Sequence, residues 1–522
     1  MRMTVNPRKL SSGVALCAGL ALCLAGSASA QPMFQSTFPG GGSNDAARGG
    51  VLLTSDGGTI SVGESQSFGT GAYDVYVVKT DECGSLQWAT TYDFGGNDYG
   101  RKIRQTSDGG YIIVGTTYRA TCCDDEASIK ALDSDIFLLS INSKGGVQWA
   151  KTYGGASNDE GTDVQSYLGD GYVVSGNTQS FGDGKINGYL MRTDLNGDII
   201  WGRSYGQSEE TGVDILNSCT VTAKGDILAT GSTNLVGSEY VLVIRTDGNG
   251  KMPPGWANVY PGQAASAGRH IIETTDGTFV IGGWITLKDM QTRDGYLLRI
   301  KDDGTPVLDR VLVNAKFDDE IAEVRQGFDK DILITGYLTN APGGFGGRDL
   351  LLGRVGYKFD PVILSVHGGK RDDEGYSIAV DLERSKKYGQ LYVAANGVTR
   401  SFTKASDEDL YLVQAIDAVK SGCNDAIPEV KDFALDPVNK PFTYCHPKVM
   451  VQCVARVAVE YNEKQNLLCT SCKFDEQLQK NSDDPTLGEA GHDIQSNGLD
   501  NGATHVSLAA ARGQAGTMQN AR

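Results

Sequence analysis

Four segments of the 522-residue chain share one pattern: Trp88-Ala-Thr-Thr-Tyr92, Trp149-Ala-Lys-Thr-Tyr153, Trp201-Gly-Arg-Ser-Tyr205 and Trp256-Ala-Asn-Val-Tyr260. Leu308 with Leu312, and Ile363 with His367, continue it in degenerate form, and successive members lie 61, 52, 55, 52 and 55 residues apart. A unit of about 50 residues cannot bury its apolar face alone, so a period of this length restricts the chain to stacked supersecondary units.

The content of each unit decides which array it is. A Gly-rich acidic loop follows each aromatic segment, as in Tyr153-Gly-Gly-Ala-Ser-Asn-Asp-Glu-Gly161 and His367-Gly-Gly-Lys-Arg-Asp-Asp-Glu-Gly375. Next comes a turn such as Asp56-Gly57-Gly58, Asp108-Gly109-Gly110 or Asp276-Gly277, then a short apolar run closing on glycine, such as Ile60 to Gly63, Ile112 to Gly115 or Val280 to Gly283. An alternating run such as Asp74-Val-Tyr-Val-Val-Lys79 or Asp409-Leu-Tyr-Leu-Val-Gln414 completes the unit. Asp-Gly tolerates the positive φ of tight hairpins, and the flanking runs have strand length and strand composition. Each unit therefore reads as a four-stranded meander, which at this period is a propeller blade. The composition agrees, with 68 Gly against 14 Pro.

Units begin near Gly49, Arg101, Asp163, Val213, Arg269, Ile321 and Tyr376, which gives seven. The seventh stops at Ser421-Gly422-Cys423-Asn424 without an aromatic fourth strand, while Phe34-Gln-Ser-Thr-Phe38 carries the aromatic pair with no unit of its own. The expected fold is therefore all-β, a seven-bladed β-propeller over residues 31–424, with the N-terminal strand completing the last blade and leaving only short protected edges.

The Trp-x-x-x-Tyr-Gly-Gly segment, the Asp-Gly-Gly-Tyr turn and the following Ile-x-Val-Gly, over about residues 33 to 424, resemble the SBBP-like repeats of exported bacterial seven-bladed propellers. The resemblance implies a fold and an exported protein, and no particular activity.

Export is also expected from the first thirty residues. Arg2, Arg8 and Lys9 precede the apolar run Gly13 to Leu24 and then Ala28-Ser29-Ala30, the order of a signal peptide cleaved after Ala30. The apolar run is shorter than the roughly 20 residues that span a bilayer, so the mature chain is expected to be secreted, with no transmembrane segment. Loss of those three positive charges takes the net charge from −17 to −20, which argues against nucleic-acid and anionic-membrane partners. Of eleven cysteines, Cys17 and Cys23 leave with the signal, so an odd nine remain and at least one is outside any internal disulfide. Residues 425–474 form a separate Cys-rich segment in which Cys445, Cys453, Cys469 and Cys472, with Cys423 at the propeller's exit, are candidate disulfide cysteines. Residues 475–522 have almost no apolar content and read as a disordered tail.

Chemistry is sparse. Aligning the acidic loops on their glycines places Asp98, Asp159, Glu210, Asp319 and Asp373 at one position, with Asn44 and Ser266 in the remaining two units. With the first strand innermost, these five carboxylates are candidates for a ring at one channel mouth, where a cation such as calcium would relieve their repulsion. The alternative role is to cap backbone N–H groups at the blade junctions. Asp194-Leu-Asn-Gly-Asp198 imitates the start of a calcium loop but has Tyr205 at the twelfth position, so it reads as a hairpin turn. Thr54-Ser-Asp56-Gly-Gly58 resembles a sialidase turn box without its aromatic end. Cys469-Thr-Ser-Cys472 suits a disulfide better than zinc, and no nucleophile elbow or phosphate loop is present.

These readings favour a non-enzymatic binding propeller of unknown protein or glycan ligand, requiring no cofactor, over a carbohydrate-active or quinoprotein-like enzyme working at the acidic mouth. The capping role predicts that calcium added to chelator-treated protein leaves Tm unchanged. A calcium-dependent rise that disappears in the double variant Asp159→Asn/Asp373→Asn would instead establish a cation ring.

Overall fold

The computed structural model describes residues 34–38 and 43–417 apart from short breaks in loops, the longest at 119–132, together with the isolated strands Asp425–Ala426, Met450–Val454 and Ala503–Ser507. Seven four-stranded antiparallel blades, six of them made of strands consecutive in the chain, form a propeller. Blade 2 is typical, with strands Asp98–Gln105, Tyr111–Tyr118, Ser134–Ile141 and Val147–Tyr153. The first strands begin at Asp98, Asp159, Asp214, Ala265, Glu320 and Asp373, one to four residues from the starts read in the sequence at Arg101, Asp163, Val213, Arg269, Ile321 and Tyr376. In blade 1 the first strand is split into Asp45–Ala46 and Val51–Leu53. First strands of neighbouring blades touch one another around the axis. The aromatic segments are the outer strands.

The spacing of the aromatic pair follows from a contact between blades. Tyr92 of blade 1 donates its hydroxyl to the carbonyl of Gly145 in the outer turn of blade 2 (2.7 Å), and Tyr153, Tyr205 and Tyr260 repeat the bond to Gly197, Gly250 and Gly304 (2.6, 2.7 and 2.7 Å). Each of these turns places glycine at positive φ, 83° at Gly145 and 78° at Gly197. A Cβ on Gly197 would come within 2.7 Å of the Trp149 ring, so both the backbone conformation and the space demand glycine.

Blade 7 combines Asp373–Val380, Tyr392–Thr399 and Asp409–Ile416 with Phe34–Phe38, which pairs antiparallel with the last of these from Phe34↔Gln414 to Phe38↔Leu410. Phe34 stands where blades 1 to 4 have tryptophan: its ring packs on Gly84 in the outer turn of blade 1, within 2.7 Å of where a Cβ would be. Phe34 is buried in a cluster that joins blade 7 (Ala394, Leu410, Leu412) to blade 1 (Ala47, Val51, Tyr76, Val78). The sequence reading of an N-terminal closing strand therefore holds.

One helix, Leu382–Tyr388, was not anticipated. It replaces the first turn of blade 7, capped by the Asp381 carboxylate on Arg384 N (2.8 Å) and ended by Gly389 at φ 67°. Among the described residues no helix is long and apolar enough to cross a membrane. Residues 1–30, read in the sequence as a signal peptide, and Cys423, Cys445, Cys469 and Cys472 lie outside the described residues, as does most of the segment 475–522. Cys453 falls within the isolated strand Met450–Val454, which lies antiparallel to the outer strand of blade 3 and of whose side chains nothing is described. Cys219, the one described free cysteine, is buried.

Closure predicts the effect of a charge at Phe34. Phe34→Asp places an uncompensated carboxylate against the blade 7 and blade 1 core and is expected to cost about 3 kcal/mol or more, lowering Tm by several degrees. A Tm equal to the parent's would show that this strand does not seal the ring.

Candidate functional site

The two faces of the ring are built differently. Turns joining first to second strands and third to fourth strands mostly have five residues, as at 54–58, 106–110, 142–146 and 274–278. Thr54 shows how they close: its N–H and carbonyl bond to Gly58 O and Gly57 N (both 2.9 Å), and its hydroxyl meets Asp56 Oδ1 (2.5 Å). The opposite face carries the connections between second and third strands, six to fifteen residues long, and the acidic loops that enter each first strand. Variation in length, and so in shape, is concentrated on this loop face.

The carboxylates picked out in the sequence lie at the loop-face end of the first strands. Asp98, Asp159, Asp319 and Asp373 are fully buried at blade junctions and held locally. Oδ2 of Asp98, Asp159 and Asp373 accepts the N–H four residues earlier, from Phe94, Gly155 and Gly369 (2.7, 2.8 and 2.7 Å). Asp159 also takes the hydroxyls of Thr178 (2.5 Å) and Ser180 (2.6 Å), Asp373 those of Thr399 and Ser401, and Asp319 the N–H of Thr339 (2.7 Å). Glu210 lies outside the described residues. Strand register puts Asp214 opposite Thr233 and Asp45 opposite Ser65, as Asp98 stands opposite Thr117. The position is thus filled by Asp45 and Asp214 in blades 1 and 4, where alignment on glycine had pointed to Asn44 and Glu210. Ser266 keeps its place in blade 5, opposite Ile285.

A second carboxylate, which sequence alignment did not single out, stands first or second in the third strand of several blades: Asp74, Asp135, Asp294, Asp349 and Asp409. It meets the first set across the junction. Asp135 and Asp159 both pack on the α-carbon of Gly154, where a Cβ would fall 2.0 and 2.9 Å from their oxygens. At the junction of blades 1 and 2, Asp74, Asp93 and Asp98 bring carboxylate oxygens within 4.8 Å of one another, close enough to share a proton or a cation. Burial, offset by the Thr117 hydroxyl and the Phe94 N–H and reinforced by Asp93, pushes the Asp98 carboxyl up to about 7. Burial together with Asp45 and Asp407 does the same to Asp409, and burial raises Asp349 to about 6.

The axis itself is occupied by a different set. Each first strand of blades 2 to 7 has a bulge after its second, third or fourth residue, between positions such as Gly100 and Lys102, Gly268 and His270 or Ile321 and Glu323. A bulge re-aims the side chain that follows it. The residues that follow are Lys102, Asp163, Ser218, His270, Glu323 and Ser377, all buried. Lys102 of blade 2 reaches Glu323 of blade 6 (2.7 Å), so the pair spans the centre of the ring. Arg325 also pairs with Glu323 and lies 3.2 Å from His270 Nε2. Arg104 meets Asp163 (3.2 Å), which accepts the Ser218 hydroxyl (2.8 Å). Burial would raise the Glu323 carboxyl, but Arg325 and Lys102 outweigh it and hold it below the usual carboxylate range. Burial keeps His270 neutral, its proton affinity well below the ordinary value.

Above this belt, on the loop face, arginines and glutamates alternate in pairs: Arg48 with Glu64 (2.8 Å) and Glu408, Arg269 with Glu320 (2.7 Å), and Arg348 with Glu374 (2.6 Å). Arg101 closes no ion pair among the described residues; it lies 5.3 Å over the Tyr99 ring, which also contacts Tyr73 and Tyr118 (5.3 and 5.9 Å between centroids). Tyr73, Tyr99 and Tyr118 are half-buried.

No family model matches the chain, and no curated protein matches it. Among solved structures it is similar to a protein of unknown function from Bacteroides caccae (10% identity over 57% of this chain and 90% of that one, TM-score 0.33). It is also similar to a mutant puromycin hydrolase complexed with PGG (12%, 69% and 50%, TM-score 0.41), and to Sqt1 from Chaetomium thermophilum (8%, 73% and 99%, TM-score 0.41). None of these likenesses bears on what the chain binds.

The junction carboxyls predict an unusual pH profile. Their folded pKa values lie above the roughly 3.9 of an unfolded aspartate, so their contribution is complete below about pH 4 and is lost as pH rises through about 6 to 7. Stability should fall between pH 5 and pH 8, by an amount on the order of 2 kcal/mol. Asp98→Asn, neutral throughout, should reduce that fall. Denaturant melts showing greater stability at pH 8 than at pH 5 would contradict the burial of protonated carboxyls.

Proposed function

We propose that the chain is an exported, non-enzymatic binding scaffold whose loop face recognises a polar partner, a protein or a glycan. The observation that carries this reading is the contact of Lys102 with Glu323 across the axis, backed by Arg325, His270 and the Arg104 to Asp163 pair. Every carboxylate there is met by a cation, and a buried ion pair made this way is costly to break, which suits a rigid strut. The junction carboxylates are likewise engaged by backbone N–H groups and hydroxyls of their own blades. What the ring offers to a partner is then the loop face, with the half-buried Tyr73, Tyr99 and Tyr118 and the overlying Arg101 near its mouth. Tyrosine and arginine are the residues that most often anchor recognition surfaces.

A glycan array and a panel of chromogenic glycosides and peptides, applied to the same preparation, test the reading. Binding is expected without turnover, reduced about tenfold or more in Arg101→Glu and Tyr99→Ala and unchanged in the turn-face control Lys151→Glu. Turnover that persists on purification and disappears in a folded Asp159→Asn variant would make the chain an enzyme and overturn the proposal.

A further inference from the structure

On the turn face, one basic position of the repeat is treated differently in blade 5. Near the end of the third strand, Lys79, Arg192, Arg245 and Arg354 of blades 1, 3, 4 and 6 each meet an aspartate in the first turn of their own blade: Asp56 (2.8 Å), Asp170 (2.9 Å), Asp226 (2.6 Å) and Asp331 (2.9 Å). Blade 2 has the neutral Ser140 there, linked through Gln148 to Asp108. In blades 4 and 6 carboxylates take the side-on edge of the guanidinium, Nε and Nη2: Asp226 takes both in Arg245, while Asp331 and Asp329 share them in Arg354.

Blade 5 has both parts, Arg299 and Asp276, yet does not join them. Asp276 instead accepts the hydroxyl of Tyr357 from the outer turn of blade 6, along with Thr274 and Thr278. The guanidinium of Arg299 lies 4.3 Å over the Tyr357 ring and 5.3 Å over that of Phe359, with the side chain only 3% exposed. Its Nε and Nη2 have no hydrogen-bond partner in the protein. Stacking holds the plane of the group while leaving its edge directed sideways, and that edge is the fork that matches two oxygens of one anion.

A second arginine lies on the same face of the blade. Arg310 stands opposite Leu297 in the neighbouring strand, and Arg299 opposite Leu308, so the two arginines lie on one face of blade 5 as diagonal neighbours, about 7 Å apart at Cα. That face packs against blade 6 through Leu297, Leu308, Leu312 and Phe359. Arg310 closes no ion pair among the described residues, and its Nε is also without a partner. Arg299 touches the Tyr357 hydroxyl, but its buried Nε and Nη2 are unmatched on a largely apolar junction, a cost that a negative charge brought to them, beside the half-buried Arg310, would offset.

We infer that Arg299 and Arg310 form a binding site for a compact oxyanion of the carboxylate, sulfate or phosphate type at the junction of blades 5 and 6, on the face opposite the recognition loops. Arg299 supplies the bidentate fork and Arg310 a second charge. Tyr357, held by Asp276, covers the site. The inference does not depend on what the loop face binds.

Thermal melts and calorimetric titration with sodium phosphate, sulfate and acetate, against chloride at equal ionic strength, provide the test. At least one oxyanion should raise Tm saturably in the parent, and its Kd should weaken about tenfold or more in Arg299→Lys, which keeps the charge but loses the fork. The order among the three anions identifies the preferred group. Arg245→Lys, whose fork is filled by Asp226, should melt lower but keep the parent's response to the anion. Equal responses in the parent and Arg299→Lys would reduce the effect to an adventitious ion only and overturn the assignment. It would also be overturned if Asp276→Asn lowered Tm as far as Asp226→Asn does and abolished the anion response, for Asp276 would then be the counter-ion of Arg299.

Discussion

The architecture depends on the bond from an outer-strand tyrosine to a glycine carbonyl in the next blade. It ties Tyr92, Tyr153, Tyr205 and Tyr260 to Gly145, Gly197, Gly250 and Gly304, while an aromatic ring four residues earlier packs on the same left-handed turn. A buried phenol must find an acceptor, and a carbonyl turned outward by positive φ provides one at a fixed distance. Because the contact is made between blades rather than within one, it sets their spacing and compels them to follow one another around the ring. The apolar clusters that fill the junctions, such as the one from Ile60 through Tyr92 to Ile141, lie between surfaces already registered by it.

The interior divides its polar groups by depth. Near the loop face, aspartates from first and third strands meet in pairs at the junctions, where burial favours the protonated form. At mid-height the bulges turn Lys102, Asp163, His270 and Glu323 toward the axis, where Lys102 and Arg325 meet Glu323 and Arg104 meets Asp163. Acids in two neighbouring layers are thus shifted in opposite directions, Asp98, Asp349 and Asp409 upward and Glu323 downward. The difference comes from what faces them: another carboxylate in one case, arginine and lysine in the other.

Much of the fold could be read in the sequence because its determinants are local and repeated. Trp-x-x-x-Tyr marks the outer strand, Asp-Gly the tight turn, and the unpaired Phe34-Gln-Ser-Thr-Phe38 the closing strand. The helix Leu382–Tyr388 was overlooked although Asp381, Glu383 and Gly389 supply ordinary start and stop signals, because the repeat leads one to expect a turn there. At the candidate site, four of the acids were found but two of their counterparts were displaced. Asp214 and Asp45 occupy the position by strand register, and Leu216 and Ala47 stand where other blades have the glycine used for alignment. The meeting of Lys102 with Glu323 had no local signal, since it joins residues 221 apart that only ring closure brings face to face. Arg299 was hidden for a different reason. Its sequence surroundings match those of its counterparts, and only the diversion of Asp276 to Tyr357 sets it apart.

The closing strand also determines the order in which the molecule can be assembled. Gln35 pairs with Val413 and Phe38 with Leu410, so the first described strand finds its partner only when almost the whole ring exists. Six blades draw all four of their strands from one continuous stretch and can form as that stretch becomes available, since local pairings close first. Until Asp409–Ile416 is present, Phe34–Phe38 has no place in the ring, and blade 7 presents an unpaired edge to any other copy nearby. A copy interrupted at that stage carries a strand seeking an edge and an edge seeking a strand, which are the two halves of a domain-swapped dimer.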